Sequence, residues 1–158
     1  MWPLVRDRIP SEFREFQSES FSFQSKLWYG NKALHYEIWR RERLGTIEIG
    51  LHFEADPLTN ARLLGAFAAH AKAVKRALTE ARIEEWDRGW ARVWEPLPHR
   101  KPDQALAVEL AKRIAAYVSV LEPILRRELP SDVAWAEPGS AAVRPKAAAK
   151  SRASRSAR

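Results

Sequence analysis

The chain has no cysteine, which excludes disulfides, thiolate metal sites and cysteine nucleophiles. Long apolar runs are also missing. The longest, Leu63 to Ala69, is far below the roughly 20 residues of a membrane span. The opening MWPLVRDRIPSEF carries charges and prolines where a secretory leader has an apolar core. A soluble, cytoplasmic protein with no membrane partner is expected. Glycine is scarce, with six in all. No glycine-rich phosphate loop and no nucleophile elbow can be found.

Acid is absent from the last eighteen residues, AAVRPKAAAKSRASRSAR, which hold Arg144, Lys146, Lys150, Arg152, Arg155 and Arg158. The chain has 27 Lys and Arg against 20 Asp and Glu, so the part before residue 141 has 21 against 20 and is almost neutral. The basic character thus belongs to a tail. Built of Ala, Ser, Lys and Arg, that tail has little to bury and is expected to be disordered. It serves either as a solvated, solubilising appendage or as an electrostatic anchor on nucleic acid, where clustered cations release phosphate counterions. The expected organisation is an α+β domain over residues 1–130, a linker over 131–140 and the tail over 141–158.

Three stretches alternate with period two, the mark of half-buried strands. Phe21 to Tyr29 places Phe21, Phe23, Leu27 and Tyr29 on one face. Leu34 to Arg41 does so with Leu34, Tyr36 and Ile38, and Thr46 to Glu54 with Ile47, Ile49, Leu51 and Phe53. Gly30-Asn31 and Leu44-Gly45 suit two-residue turns. Such turns place Leu27 opposite Leu34, Arg41 opposite Glu48, Trp39 over Gly50, Glu37 opposite His52 and His35 opposite Glu54. A fourth strand is expected near Trp90 to Glu95. Two long helices complete the pattern. One starts at Asp56-Pro57, a capping carboxylate followed by a first-turn proline, with its stripe on Leu64, Phe67, Ala68, Ala71, Val74 and Leu78. The other starts near Asp103, with Leu106, Leu110, Ile114, Tyr117, Val118, Leu121 and Leu125 on one side. A short helix is expected near Ser11 to Ser18. The fold expected is α+β: a three- to four-stranded antiparallel sheet with two long helices on one face.

The other face of the meander carries the polar and aromatic residues. His35-Tyr36-Glu37 and His52-Phe53-Glu54 are both His-x-Glu, which on a strand puts both side chains on one face. His35, Glu37, His52 and Glu54 could bind a divalent metal or poise an acid and a base, giving a metal-assisted hydrolase. The preferred reading is a solvated face of cross-strand charge pairs, which are common on sheets. The nucleobase deaminase pattern also uses His-x-Glu, but it needs downstream cysteines. Glu48 and Glu54 are not followed by the Glu-x-Lys of a nuclease core. Lys26, Trp28, Trp39 and Arg41 interleave cations with indoles, as single-strand binders do on sheet surfaces. The competing expectation is that Trp28 and Trp39 are covered, by the Val133–Trp135 segment or by a second subunit. Trp86, Trp90 and Trp94 are expected to wedge the sheet against the helices.

The run from Ile47 to Pro98 carries the strand IEIGLHFEA, the helix NARLLGAFAAHAKAVKRAL opening at Asn60, then IEEW and WARVWE. In this pattern it resembles a bacterial and archaeal domain of uncharacterised function, found alone or beside nuclease-like domains. That family has more arginine around the fourth strand; here Arg88 and Arg92 fit. The resemblance implies an α+β accessory domain linked to DNA defence or repair, and it carries over no catalytic residue. The expected function is therefore a non-enzymatic module without a cofactor. It would bind DNA, RNA or a protein on them through Lys26, Trp28, Trp39, Arg41 and the tail. The alternatives are the metal-assisted hydrolase and a homodimer joined through the tryptophan-bearing face.

Overall fold

The computed structural model describes residues 1–129. The linker 131–140 and the basic tail 141–158, with Arg144, Lys146, Lys150, Arg152, Arg155 and Arg158, lie outside the described residues. Six strands form one antiparallel sheet: β1 (Gln17–Ser20), β2 (Gln24–Trp28), β3 (Leu34–Arg41), β4 (Thr46–Phe53), β5 (Arg82–Glu85) and β6 (Ala91–Pro98). Their order is β1-β2-β3-β4-β6-β5. Four helices accompany them: α1 (Trp2–Arg6), α2 (Pro57–Ala69), α3 (Ala71–Ala77) and α4 (Gln104–Glu128).

The α+β class stands, but six strands replace the expected three or four. Both additional strands are four-residue edges, QSES and RIEE, with a single apolar residue, Ile83, between them. Polar, short edges resist further strand addition, and the same composition leaves them without an alternating apolar signal. Phe21 and Phe23 do not belong to a strand face. They flank the β1–β2 turn, closed by Phe21 N–H donating to the Gln24 carbonyl at 2.7 Å, and both rings are exposed. The helix expected near Ser11 to Ser18 is a single 3-10 turn, Ser11–Phe13, running into β1. Its phenyl rings are nonetheless buried, Phe13 and Phe16 both packing edge-on against Tyr29.

Of the two long helices expected, one is long. α4 runs 25 residues from Asp103, whose carboxylate accepts from Leu106 N–H at 2.7 Å. Its apolar row, Leu106 through Leu125, is buried throughout. The other is broken at His70 (φ −95°, ψ 7°) into α2 and α3. Its start is as expected, with Asp56 accepting from Thr59 N–H at 3.0 Å and Pro57 in the first turn. The buried row is Leu63, Phe67, Val74 and Leu78. All the helices lie on the face of Ile47, Ile49, Leu51 and Phe53: Phe67 meets Phe53 at 5.3 Å, and Glu122 of α4 meets Tyr36.

Both hairpins of the meander are offset by two residues from the two-residue-turn register. β2 and β3 are joined through Tyr29–Ala33, so Leu27 faces Tyr36. β3 and β4 are joined through the 3-10 turn Glu42–Leu44 and Gly45 (φ 64°), so Arg41 faces Thr46. An even offset leaves every side chain on its expected face while changing each of its cross-strand neighbours. His35 therefore opposes His52, and Gly50 lies between Glu37 and Trp94.

At Gly50 the backbones come unusually close: a Cβ there would sit 2.5 Å from both Trp94 Cβ and the Val93 carbonyl oxygen. Neither can step aside, because both belong to the adjoining strand. Gly50→Ala is therefore expected to cost about 3 kcal/mol, the upper end of overpacking, measured as a lower urea midpoint. Glu122 offers a second test. It is fully buried, accepting from Tyr36 Oη at 2.9 Å and from Arg126 Nε at 2.8 Å, and burial pushes its carboxyl above the usual range. A raised folded-state pKa means that ionisation costs more in the fold than in the unfolded chain. The penalty is present at neutral pH and vanishes as pH falls through the raised value to the unfolded one. The stability of the wild type relative to Glu122→Gln should rise as pH is lowered from 7 to 4; a pH-independent difference would refute this.

Candidate functional site

The second face of the sheet is where the sequence places its polar residues, in rows set by register. Trp28, His35, His52, Arg92 and Glu84 form one row; Lys26, Glu37, Gly50, Trp94 and Arg82 form the next; Gln24, Trp39 and Glu48 form a third. This face is not a solvated surface. His35 and His52 are each 1 % exposed, Glu37 3 %, Glu48 5 % and Arg92 6 %. Charges so enclosed must be paired, and they are.

Arg92 holds one half of the network. Its Nη1 donates to Glu48 at 3.0 Å and its Nη2 to Glu84 at 3.0 Å, while its plane lies 3.6 Å from the Trp94 ring centre and 4.7 Å from that of Trp86. Trp94 Nε1 donates to the same Glu84 at 2.7 Å. Arg41 supplies the second cation on Glu48 at 3.0 Å and lies over Trp39 at 4.4 Å. The other half centres on Glu37, which accepts from Gln24 Nε2 at 2.9 Å and pairs with Lys26 at 3.0 Å. Burial opposes its charge, yet the imidazole pair and Lys26 hold its carboxyl down at about 2.

Trp86 supplies the cover. β5 ends at Glu85, and the turn Asp87–Gly89 uses Arg88 (φ 60°) and Gly89 (φ 75°) to fold the chain back, with Trp86 N–H donating to the Trp90 carbonyl at 2.6 Å. The indole stands edge-on to His52 at 5.4 Å and to Trp39 at 6.3 Å. Asn60, buried at the start of α2, fixes this turn: its Nδ2 donates to the Gly89 carbonyl at 2.9 Å while its Oδ1 accepts from Ala55 N–H at 3.0 Å. Trp86 and Trp94 thus lie on the polar face, not between sheet and helices as expected.

Between the two halves stand the imidazoles. His35 and His52 stack with ring centres 5.5 Å apart and planes 8° from parallel. His35 Nδ1 is 2.9 Å from the Lys32 carbonyl, which can only accept, so Nδ1 carries a proton. Its Nε2 faces Glu37 at 3.4 Å and Glu54 at 3.9 Å. His52 Nδ1 is buried without a hydrogen-bond partner, 3.8 Å from the same Glu54 oxygen. Burial pushes the His52 imidazole down to about 3, against the pull of Glu37, so the ring is neutral at ordinary pH. The ligand atoms of His35, His52 and Glu54 lie within 4.8 Å of one another.

Of the residues singled out in the sequence, His35, His52 and Glu54 are brought together, with Glu37 against His35. Trp39 and Arg41 stack on each other, whereas Lys26 is consumed by Glu37 and Trp28 sits at the far end of the sheet with Lys32 4.9 Å from its ring. Arg92, Glu48, Glu84 and Trp86 were not singled out as site residues. The sequence placed Glu48 opposite Arg41, Trp86 among the wedging indoles and Arg92 on the fourth strand, but nothing in it joined them to Glu84.

Arg92→Ala should cost about 3–5 kcal/mol, because Glu84 loses its cation and Glu48 keeps only Arg41; Arg92→Lys, which retains charge but not the fork, should fall between it and wild type in urea unfolding. Compared with protein-family models, with curated proteins and with solved structures, the chain matches none.

Proposed function

We propose that the chain is a nucleic-acid-binding module that takes a single strand along one rim of the sheet, with the basic tail as an electrostatic anchor. The observation that carries this reading is the exposed aromatic pair beside an arginine cluster. Phe21 and Phe23 are 54 % and 53 % exposed, stacked with ring centres 6.2 Å apart and planes at 20°. Arg40 ties their turn to β3, its N–H donating to the Phe23 carbonyl at 2.7 Å and its Nη1 to the Ser22 carbonyl at 3.1 Å.

Next to the pair lies a cleft of about 440 Å³ lined by Phe23, Trp39 and Leu44 with Arg40, Arg41 and Arg43, and one acid, Glu42. Arg43 has no ion pair among the described residues and is exposed. Aromatic faces for bases and guanidinium groups for phosphates are the two components of single-strand binding. The rim replaces the sheet face in this role: Lys26 is paired with Glu37 on that buried face, whereas on the rim Arg40 pairs with the exposed Glu42 and Arg41 with Glu48 while Arg43 adds a further cation.

Fluorescence anisotropy with labelled single- and double-stranded oligonucleotides across a salt series tests both parts. Phe21→Ala with Phe23→Ala should weaken single-strand binding about 5- to 100-fold, as loss of base stacking does. Removing residues 137–158 should flatten the log–log salt slope on duplex DNA by about 5, for six cations lost. An intact affinity in the first case removes the rim, and an unchanged slope in the second removes the anchor. The same exposed rings could instead seat a second copy of the chain; sedimentation equilibrium showing a dimer that the phenylalanine substitutions dissociate would favour that reading.

A further inference from the structure

We infer that His35, His52 and Glu54 form a binding site for one divalent transition ion of the zinc class, held through His35 Nε2, His52 Nδ1 and a Glu54 carboxylate oxygen. The inference is independent of nucleic-acid binding, since the site and the rim share no residue. Four features of the geometry carry it.

The first is the unpartnered buried nitrogen. An imidazole nitrogen enclosed without a hydrogen bond costs free energy, and His52 Nδ1 is such an atom, turned toward the Glu54 oxygen but at 3.8 Å from it. The second is the tautomer of His35. Its Nδ1–H donates to the Lys32 carbonyl at 2.9 Å, the outer-shell contact that orients metal-binding histidines and frees Nε2 as the donor. Glu37 meets that Nε2 only in a long bond: at 3.4 Å it exceeds the roughly 2.7–2.9 Å of a charge-assisted bond, and the short bonds of Glu37 go to Lys26 and Gln24.

The third feature is distance. Around a tetrahedral ion with bonds of about 2.1 Å the donors stand roughly 3.4 Å apart. The three here are within 4.8 Å, and the most exposed of them, Glu54 at 21 %, has a side chain long enough to turn inward. The fourth is the absence of a competing cation. Lys26 and Arg92 each have carboxylate partners already, so two imidazoles and a carboxylate with no Lys or Arg partner among the described residues face the space. Two imidazoles and a carboxylate suit zinc, cobalt or nickel, and the all-oxygen preference of magnesium and calcium argues against those ions. With both rings almost fully enclosed and Trp86 edge-on to His52, the ion would lock β3 to β4 at their ends.

The test uses the full chain, freed of metal with chelator and titrated with zinc by calorimetry and with cobalt by visible absorption. One ion per chain is expected, with a cobalt d–d band of a nitrogen- and oxygen-ligated site and a rise in Tm of about 5 °C at saturating zinc. Glu54→Gln, a nearly isosteric change at a partly exposed position, should leave the metal-free Tm within about 2 °C of wild type and weaken zinc binding at least 10-fold. His52→Gln should abolish the cobalt band. Absence of zinc binding, or binding that both substitutions leave unaltered, overturns the inference; the latter would place the ion at His70 or His99 instead.

Discussion

A guanidinium packed between two indoles and gripped by two carboxylates organises the polar face of this protein. Arg92 touches four side chains from four segments: Glu48 of β4, Glu84 of β5, Trp94 of its own strand and Trp86 of the turn beyond β5. Take away the planar fork and these groups have no common partner. The β5–β6 hairpin then keeps only four residue pairs along the sheet edge, and Trp86 loses the contact that holds it over His52. Arginine is suited to this post because its flat, weakly hydrated cation can stack and donate in plane at once. The close approach at Gly50 belongs to the same arrangement, since it brings Trp94 down beside the column of charges.

The face opposite the helices therefore has the character of a second interior, built from charge rather than hydrocarbon. Burial of ions confers little net stability but makes each partner hard to replace. It also divides the face into regions of different chemistry. Toward the end of β4 and the start of β3, two stacked imidazoles and one partly exposed carboxylate make a donor-rich space. Toward the β1–β2 and β3–β4 turns, cations outnumber acids and aromatic rings emerge into solvent.

Much of this was legible in the residues, for identifiable reasons. Asp56-Pro57 and Asp103 announce helix starts by chemistry that tertiary context rarely overrides, and α4's apolar row was readable to the residue. Alternation located β3 and β4. It could not find β1 and β5, because four-residue polar edges carry no periodicity. Nor could it place the break at His70, where the apolar stripe continues through the kink with neither glycine nor proline to mark it. The turns are longer than expected, and the register is offset by two residues in both hairpins. Since side chains alternate with period two, the His/Glu set still landed on one face, but as a stacked imidazole pair instead of two His–Glu pairs. Enclosure of that set was beyond local reading: its cover arrives from Trp86, more than thirty positions along the chain from His52.

The anchoring of the Trp86 turn by Asn60 has a consequence for how sequence variation in this protein would be interpreted. Asn60 sits in a helix on the far side of the sheet, yet its carboxamide bridges the end of β4 and the crest of the turn in a single rigid unit. Exchange it for leucine, and the backbone groups of Ala55 and Gly89 lose their partners together while the indole above His52 loses its foundation. In a saturation scan Asn60 would group with the imidazoles and Arg92, although it touches none of them. Distance from the charged face is thus a poor guide to tolerance here, and attachment to the turn is the better one.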